Sequence, residues 1–390
     1  MFFKQAEQLE TKLIEVYKQL HQCPELGLTL PKTSGYLKKQ LEARGLEVHN
    51  IAGYGLTTTI GNPDGPCILL RADMDALEII EQSGLPYASQ NGCAHACGHD
   101  LHMTMLLGAA MMLKPLEAEL SGCIRFLFQP DEEGHDGGGA KVAIAEGICE
   151  NVGAAIAVHC NPTADVGIVM SRPGPYFASQ DAIRIVVTGV GGHGATPEFT
   201  VDPIYVAHMI YMALQEIFTR EISGKETVVF TIGNFHAGTA FNIIPTQAVM
   251  EGTLRCFQKD VRKRIKERIC EIAESVAKLY RAQAEVTFVR EIDATVNDDA
   301  LFQASMDALE QEFPLEAIDR NAAILMGSED FGLIAKQVPG TLFMIGCGAD
   351  EGQRYFLHHP KVIMNPAGIK YGAVVYARTA YDWLQKAKEQ

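Results

Sequence analysis

Ala96-Cys97-Gly98-His99-Asp100 and, about thirty residues further on, Pro130-Asp131-Glu132-Glu133-Gly134 carry the side chains with which this chain could do chemistry. A thiolate, an imidazole and a pair of carboxylates are the parts of a hydrolytic metal centre with its own general base. Cys97 and His99 stand two apart, and on a regular helix such side chains point away from each other, so a shared ligand site requires a turn, which Gly98 permits. A lone Cys-x-His is more often a buried thiol beside a capping histidine. Here His95, His99, Asp100 and His102 crowd into eight residues, and carboxylates follow downstream.

Asp131-Glu132-Glu133 follows the apolar run Cys123 to Phe128, which places it beyond the carboxyl end of a strand, where ligands collect in open α/β sheets. On an extended backbone adjacent side chains face opposite ways, so one glutamate can bind metal while the other points at a water. His159 ends the run Ala154 to Val158 in the same sense. Asp73-Met74-Asp75 follows Cys67 to Leu70, and one of its carboxylates can orient a ligand imidazole by accepting its second N–H. His358-His359-Pro360 supplies a further imidazole. Each signal alone has a bland reading as a solvated turn, a strand cap or a surface histidine pair, but together they put metal-competent groups at several element ends.

The elements that must position these groups can be read from the hydrophobic pattern. Amphipathic helices are expected from about Ala6 to Leu20 and Ser34 to Arg44, strands at Leu56 to Ile60 and Cys67 to Leu70, and a buried helix through Met103 to Leu113. Strands at Cys123 to Phe128 and Ala154 to Val158 continue the alternation. Largely apolar strands between helices predict an α/β domain, a mostly parallel sheet covered by helices on both faces. From residue 182 the order becomes strand, helix, strand, strand, helix, strand: Ala182 to Thr188, Asp202 to Phe218, Thr227 to Ile232, Ala248 to Leu254, Asp260 to Tyr280 and Ala284 to Val289. That is the ferredoxin-like βαββαβ unit. The expected organisation is a catalytic domain of 1–181 and 295–390 interrupted by an inserted domain of 182–294, with a last helix at about Gly368 to Lys386.

Composition narrows the function classes. With 390 residues, 47% of them hydrophobic, the chain exceeds a single ordinary core, and a net charge of −15 disfavours nucleic-acid or anionic-membrane partners, which demand clustered Lys and Arg. Met1-Phe2-Phe3-Lys4 passes at once into charged residues without a signal-like apolar core, so the expectation is a cytoplasmic protein with no membrane partner. Ten cysteines in 390 residues are too few for a disulfide scaffold and predict mainly reduced, structural thiols.

The chain resembles the metal-dependent aminoacylases and carboxypeptidases that include hippurate hydrolase, auxin-amino-acid conjugate hydrolase and N-acetyldiaminopimelate deacetylase. The resemblance covers nearly its whole length. It rests on Leu20-His21-Gln22-Cys23-Pro24-Glu25-Leu26-Gly27, Arg71-Ala72-Asp73-Met74-Asp75-Ala76-Leu77, His95 to Asp100, Phe128 to Gly134, Gly191-Gly192-His193-Gly194, Phe241-Asn242-Ile243-Ile244-Pro245, Gly327-Ser328-Glu329-Asp330-Phe331 and Leu357 to Pro360. It implies two divalent metal ions held by Cys97, His99, Glu133, His159 and His358, with Glu132 as general base and Asp75 supporting the site. It also implies that His193 reaches a partner subunit's site to stabilise an oxyanion, that Asn242 and Arg255 hold the substrate carboxylate, and that the inserted domain makes a homodimer, with a tetramer as the larger alternative. By the same resemblance, Cys97 separates this branch from relatives with a bridging aspartate. The soft thiolate and imidazoles suit zinc, while manganese, cobalt and nickel also fit such donors.

The expected reaction is hydrolysis of the amide of an N-acyl amino acid, with a metallo-dipeptidase or carboxypeptidase as the close alternative and a catalytically silent binding protein as the distant one. A redox or metal-storage role lacks a Cys-x-x-Cys motif and leaves the paired glutamates unexplained. Two positions depart from the family's pattern: Asp131 replaces a small residue, placing a charge beside the base, and Leu28 to Thr33 lacks a customary glutamate. Both bear on substrate rather than on the ligand set.

Overall fold

The structure, a computed structural model, describes residues 1–135, 137–350 and 352–387. The chain divides into two compact units, one of Met1–Tyr176, Val296–Ala323 and Asp330–Gln390, the other of Phe177–Thr295 with Ile324–Glu329.

The large unit begins with helices α1 (Phe2–His21) and α2 (Pro31–Glu42), strands β1 (His49–Ile51), β2 (Gly55–Gly61) and β3 (Cys67–Asp73), and helix α3 (His99–Leu113). Strand β4 (Cys123–Gln129), helix α4 (Gly139–Ala145), strand β5 (Ala154–Asn161) and short strands β6 (Val169–Met170) and β7 (Gly174–Phe177) follow. Helix α3 is apolar beyond its polar first turns, and 14 of its 15 residues are buried. Gly108 lets it sit close to α1 and to the last helix, α9 (Ile369–Ala387), since a Cβ there would lie 2.9 Å from Ala373 Cβ and 3.0 Å from Leu13 Cδ1. The helix starts at Gly98, whose φ of 89° is the left-handed turn that the Cys97–His99 spacing requires.

In the small unit, β8 (Gln180–Thr188), the short β9 (Gly192–His193), α5 (Pro203–Glu216), β10 (Val228–Ala237), the short β11 (Ile243–Ile244), β12 (Gln247–Cys256), α6 (Lys259–Leu279) and β13 (Gln283–Ile292) follow in order. The four long strands form an antiparallel sheet ordered β10-β12-β8-β13. With helices between its first and second and its third and fourth long strands, this is the ferredoxin-like pattern that the sequence predicts. Its core joins Ile183, Ile185 and Val187 of β8 to Val206, Ile210 and Leu214 of α5 and Ile265 and Ile269 of α6. Helix α5 ends in a π-helical turn at Ile217–Glu221 instead of stopping at Phe218.

The chain returns to the large unit through β14 (Thr295–Asn297), α7 (Asp299–Leu309), β15 (Ile318–Asp319), α8 (Phe331–Ala335), β16 (Gly340–Gly346) and α9 (Ile369–Ala387). Its sheet has the order β1-β2-β4-β3-β5-β16-β6-β15. The centre, β4-β3-β5-β16, is parallel, while β1 and β2 at one end and the β16–β6 pair are antiparallel. Every residue of β3 is buried, so both faces of the sheet centre are covered, and Ile68, Leu70 and Ala72 share a core with α1, α3 and α9.

The strands run further than their apolar stretches. β3 continues through Arg71 to Asp73, β4 through Gln129, and β5 through His159 to Asn161. Among the described residues no helix is long and apolar enough to cross a membrane, and no disulfide links the cysteines.

Candidate metal centre

The polar ends of these parallel strands are where the chemistry collects. Asp73 at the end of β3 pairs in register with Gln129 at the end of β4, and His159 lies near the end of the adjacent β5. All three are buried. Across from them, the entrance of α3 presents Cys97 and His99, buried as well.

Six groups with ligand chemistry converge. The ligand atoms of Cys97, His99 and His159 lie within 4.8 Å of one another, and so do those of Cys97, Glu133 and His358 and those of His99, Glu132 and Glu133. Cys97 Sγ is 3.5 Å from His159 Nε2. The tautomer of His159 follows from its other nitrogen: Nδ1 is 2.9 Å from the Cys160 carbonyl, which can only accept, so Nδ1 bears the hydrogen and Nε2 offers its lone pair towards Cys97. His358, half-exposed and at a φ of +65°, sits 3.2 Å through Nε2 from Glu133 Oε1. Its main-chain N–H donates to the Ala96 carbonyl at 2.9 Å, which ties its loop to the one bearing Cys97.

His102 also lies among these groups, but both of its nitrogens are used. The Cys160 N–H donates to Nε2 at 2.8 Å, so Nδ1 carries the hydrogen and donates it to Asp73 Oδ1 at 2.6 Å. His102 therefore supports the strand end and offers no lone pair to a metal.

The backbone at the paired glutamates is not extended, contrary to the sequence-based expectation. Asp131 turns the chain with a φ of +54°, and the two following N–H groups then point the same way, towards Asp75: Glu132 N–H reaches Oδ1 at 3.0 Å and Glu133 N–H reaches Oδ2 at 3.1 Å. Asp tolerates the left-handed region better than most residues. The Asp131 carboxylate is buried and accepts the Gly138 N–H at 2.7 Å, so the residue organises the loop. Asp75 also lies 3.4 Å from His99 Nδ1, while Asp73 Oδ2 lies 3.7 Å from His99 Nε2.

The electrostatics call for a cation. Burial alone would strip His99 of its proton, but the charge of Asp73, the Asp75 carboxylate 3.4 Å from Nδ1 and the charge of Glu133 raise it to about 10. His159 goes the other way, to about 4, because burial and the His99 charge both disfavour protonation despite the opposing pull of Asp73. Glu133 is held below the usual carboxylate range: burial opposes ionisation, and the His358 hydrogen bond and the His99 charge outweigh it. Soft and borderline donors around surplus buried negative charge fit a divalent ion better than they fit a proton on His99.

The base candidate Glu132 is buried, with Oε1 accepting the Asp330 N–H at 3.3 Å and Oε2 at 4.0 Å from His99 Nε2. Asp330 in turn is bound to Arg71 and Gln129 inside the unit. Arg71, Gln129 and Asp330 all stand within the stretches that carry the family resemblance, yet nothing in their residue types or spacing distinguishes a buried hub from solvent-facing polar residues. The signal that could have found them is the position of two of them directly after largely apolar strand runs.

The remaining predicted residues lie in the small unit. β9 pairs with β11, with His193 opposite Ile243, and Gly194 N–H donates to the Asn242 carbonyl at 2.9 Å, so the structure brings the His193 and Asn242 loops together. Both residues are exposed. The Ala195 N–H donates to His193 Nδ1 at 3.0 Å, which leaves the ring hydrogen on Nε2 facing outward as a donor. Arg255, on β12, is half-buried and donates through Nη1 to the Met326 carbonyl at 3.0 Å, and burial together with nearby Arg290 lowers its pKa from the usual arginine value.

Comparison with known proteins agrees with this arrangement. Residues 69–382 match the family model described as peptidase family M20/M25/M40. The chain is 36% identical over 382 residues to the N-acetylcysteine deacetylase of Bacillus subtilis, covering 97% of this chain and 98% of that protein. It is 34% identical over 389 residues to thermostable carboxypeptidase 2 of Saccharolobus solfataricus, covering 98% of each. Among solved structures it is similar to the YXEP protein of Bacillus subtilis, described as a dinuclear metal binding peptidase from the M20 family, with a TM-score of 0.83, 33% identity, and 97% and 99% of the two chains covered. With strand-end donors, inserted domain and whole-length similarity in agreement, the chain belongs to peptidase family M20/M25/M40.

Proposed function

We propose that this protein is a metal-dependent amidohydrolase that cleaves the amide bond of N-acyl amino acids, releasing the amino acid and a carboxylic acid. The observation that carries this reading is the convergence of Cys97, His99, His159, Glu133 and His358 beside a separate buried carboxylate, Glu132. Two divalent ions fit these five donors, zinc foremost, with manganese, cobalt or nickel as substitutes; bound there, they supply Lewis acidity towards the amide carbonyl and the attacking water.

The rest of the chemistry belongs to the chain. Glu132 takes the proton of the attacking water on Oε2 and passes it to the leaving amine nitrogen. Asp75 fixes the main chain of both glutamates, so base and ligand keep their separate directions. His193, with its hydrogen on Nε2, donates to the developing oxyanion in the site of a partner subunit, which makes the active species a homodimer joined through the small unit. Asn242 and Arg255 hold the substrate carboxylate, a task suited to the fork of a guanidinium. A soluble, cytoplasmic enzyme fits the acidic composition.

A carboxypeptidase reading is the second, favoured by the 34% identity to the Saccharolobus enzyme. One assay separates the two: release of free amino acid from N-acetyl and N-benzoyl amino acids and from dipeptides, with chelator and after adding back zinc, manganese or cobalt. Chelator-sensitive turnover of N-acyl amino acids supports the first reading. Turnover of peptides alone supports the second, and turnover untouched by metal removal contradicts both.

A further inference from the structure

Arg71 is the largest fully buried side chain among the described residues and carries a charge that the proposed reaction does not use. Its Nε donates to Gln129 Oε1 at 2.9 Å, its Nη1 to Asp73 Oδ2 at 2.9 Å and its Nη2 to Asp330 Oδ1 at 2.5 Å. The Asp330 carboxylate receives two further donors: Gln129 Nε2 at 2.9 and 2.8 Å from its two oxygens, and the Ala140 N–H at 3.1 Å. Three donors thus fix a carboxylate whose own main-chain N–H points at Glu132 Oε1.

Stability does not account for such a hub. A buried ion pair is often no more stabilising than apolar packing of the same volume, because desolvating the charges cancels most of their attraction. What a fully connected network does provide is direction. With Oε1 of Glu132 engaged by the Asp330 N–H, the oxygen nearest the ligand cluster is Oε2, 4.0 Å from His99 Nε2. The other arm of Arg71 reaches Asp73, which orients His102 against the strand bearing His159. One guanidinium therefore braces both the base and the strand end beside it.

We infer that Asp330 is a positioning residue for Glu132: Arg71 and Gln129 lock its carboxylate, and its main-chain N–H holds one oxygen of the base so that the other is aimed at the reacting water. The inference rests on the reading of Glu132 as general base.

The test compares Asp330→Asn in two backgrounds, using the metal-loaded full-length enzyme and an N-acetyl amino acid. In the wild-type background kcat should fall by about 10- to 100-fold, the scale of a misplaced reacting group, while KM and metal content stay within about twofold. In the Glu132→Gln background the same substitution should change the residual rate by less than about twofold, because there is no carboxylate left to aim. If Asp330→Asn fails to fold, judged by circular dichroism, Gln129→Ala removes two bonds to Asp330 without orphaning a charge and serves in its place. Equal losses in both backgrounds, or a rise in KM at unchanged kcat, would overturn the inference while leaving the base reading intact. Wild-type-like activity of Glu132→Gln alone would overturn the base reading, and the inference with it.

Discussion

The strand ends of the large unit and the glycine loop of the small unit both carry reactive side chains, and they are organised in opposite ways. Asp73, Asp75, His99 and Glu132 are no more than 7% exposed, and every one is placed by strand register, main-chain donors or a charged neighbour. His193 and Asn242 stand in solvent on a short two-stranded turn. Burial strengthens each electrostatic interaction and fixes direction in advance, at the cost of surplus charge that a cation must neutralise. The exposed loop has only a local device, the Ala195 N–H that sets the His193 tautomer, and depends on being covered to act with force. A preorganised interior and an adaptable exposed donor are the two halves of the proposed catalyst.

Substitutions can break this comparison from either side. Glu132→Gln should lower turnover by about 10² to 10⁴, the usual worth of a general base, with both metal ions retained; elemental analysis and steady-state kinetics on the same sample check it. His193→Ala should cost about 10² to 10³, the scale of a lost oxyanion donor, without altering metal content. Mixing it with Glu132→Gln should restore activity as subunits exchange, and no recovery despite demonstrated exchange would remove the loop from the partner's site. Cys97→Ser should weaken metal affinity by more than about tenfold, since changes beyond the direct ligands already cost that much; competition with a metal-binding dye reads it out.

A further prediction concerns stability rather than turnover. His21 on α1 is sandwiched between Asp100, 2.6 Å away, and Glu81, 3.1 Å away. Burial disfavours its charge, but these two hydrogen bonds hold it protonated up to about 10, above its ordinary 6.5. A raised folded-state pKa contributes stability that is complete below pH 6.5 and is lost as the pH climbs towards 10. His21→Gln should therefore destabilise by about 3–5 kcal/mol at pH 6, the cost of removing one member of a buried charged cluster. The difference between the denaturation curves of the two proteins should shrink by pH 10.

The same contrast explains what was legible in the sequence. Strands and helices announced themselves through apolar runs, and the order of elements from residue 182 was enough for the ferredoxin-like sheet. The apolar pattern ends these strands at Leu70, Phe128 and Val158, because a charged or polar residue ordinarily leaves a buried sheet. Here Arg71, Gln129 and His159 remain inside it: Arg71 and Gln129 are satisfied by Asp330, a partner distant in sequence, and His159 by the carbonyl of the adjacent Cys160. The five ligand candidates were visible as residue types near element ends. The turn at Asp131 and the Asp330 contact to Glu132 were not, because a left-handed φ and a partner 198 positions away leave no local pattern. Asp131, a departure from the family in sequence, accepts the Gly138 N–H through its carboxylate.

The most direct test of the central claim is the X-ray absorption spectrum of the zinc-loaded enzyme at the zinc edge. Ligation by Cys97 together with imidazoles and carboxylate predicts a sulfur shell at about 2.3 Å beside nitrogen and oxygen at about 2.0–2.2 Å, with the sulfur shell lost in Cys97→Ser. A wild-type spectrum containing nitrogen and oxygen neighbours alone would contradict the assignment of this buried cluster as the metal centre.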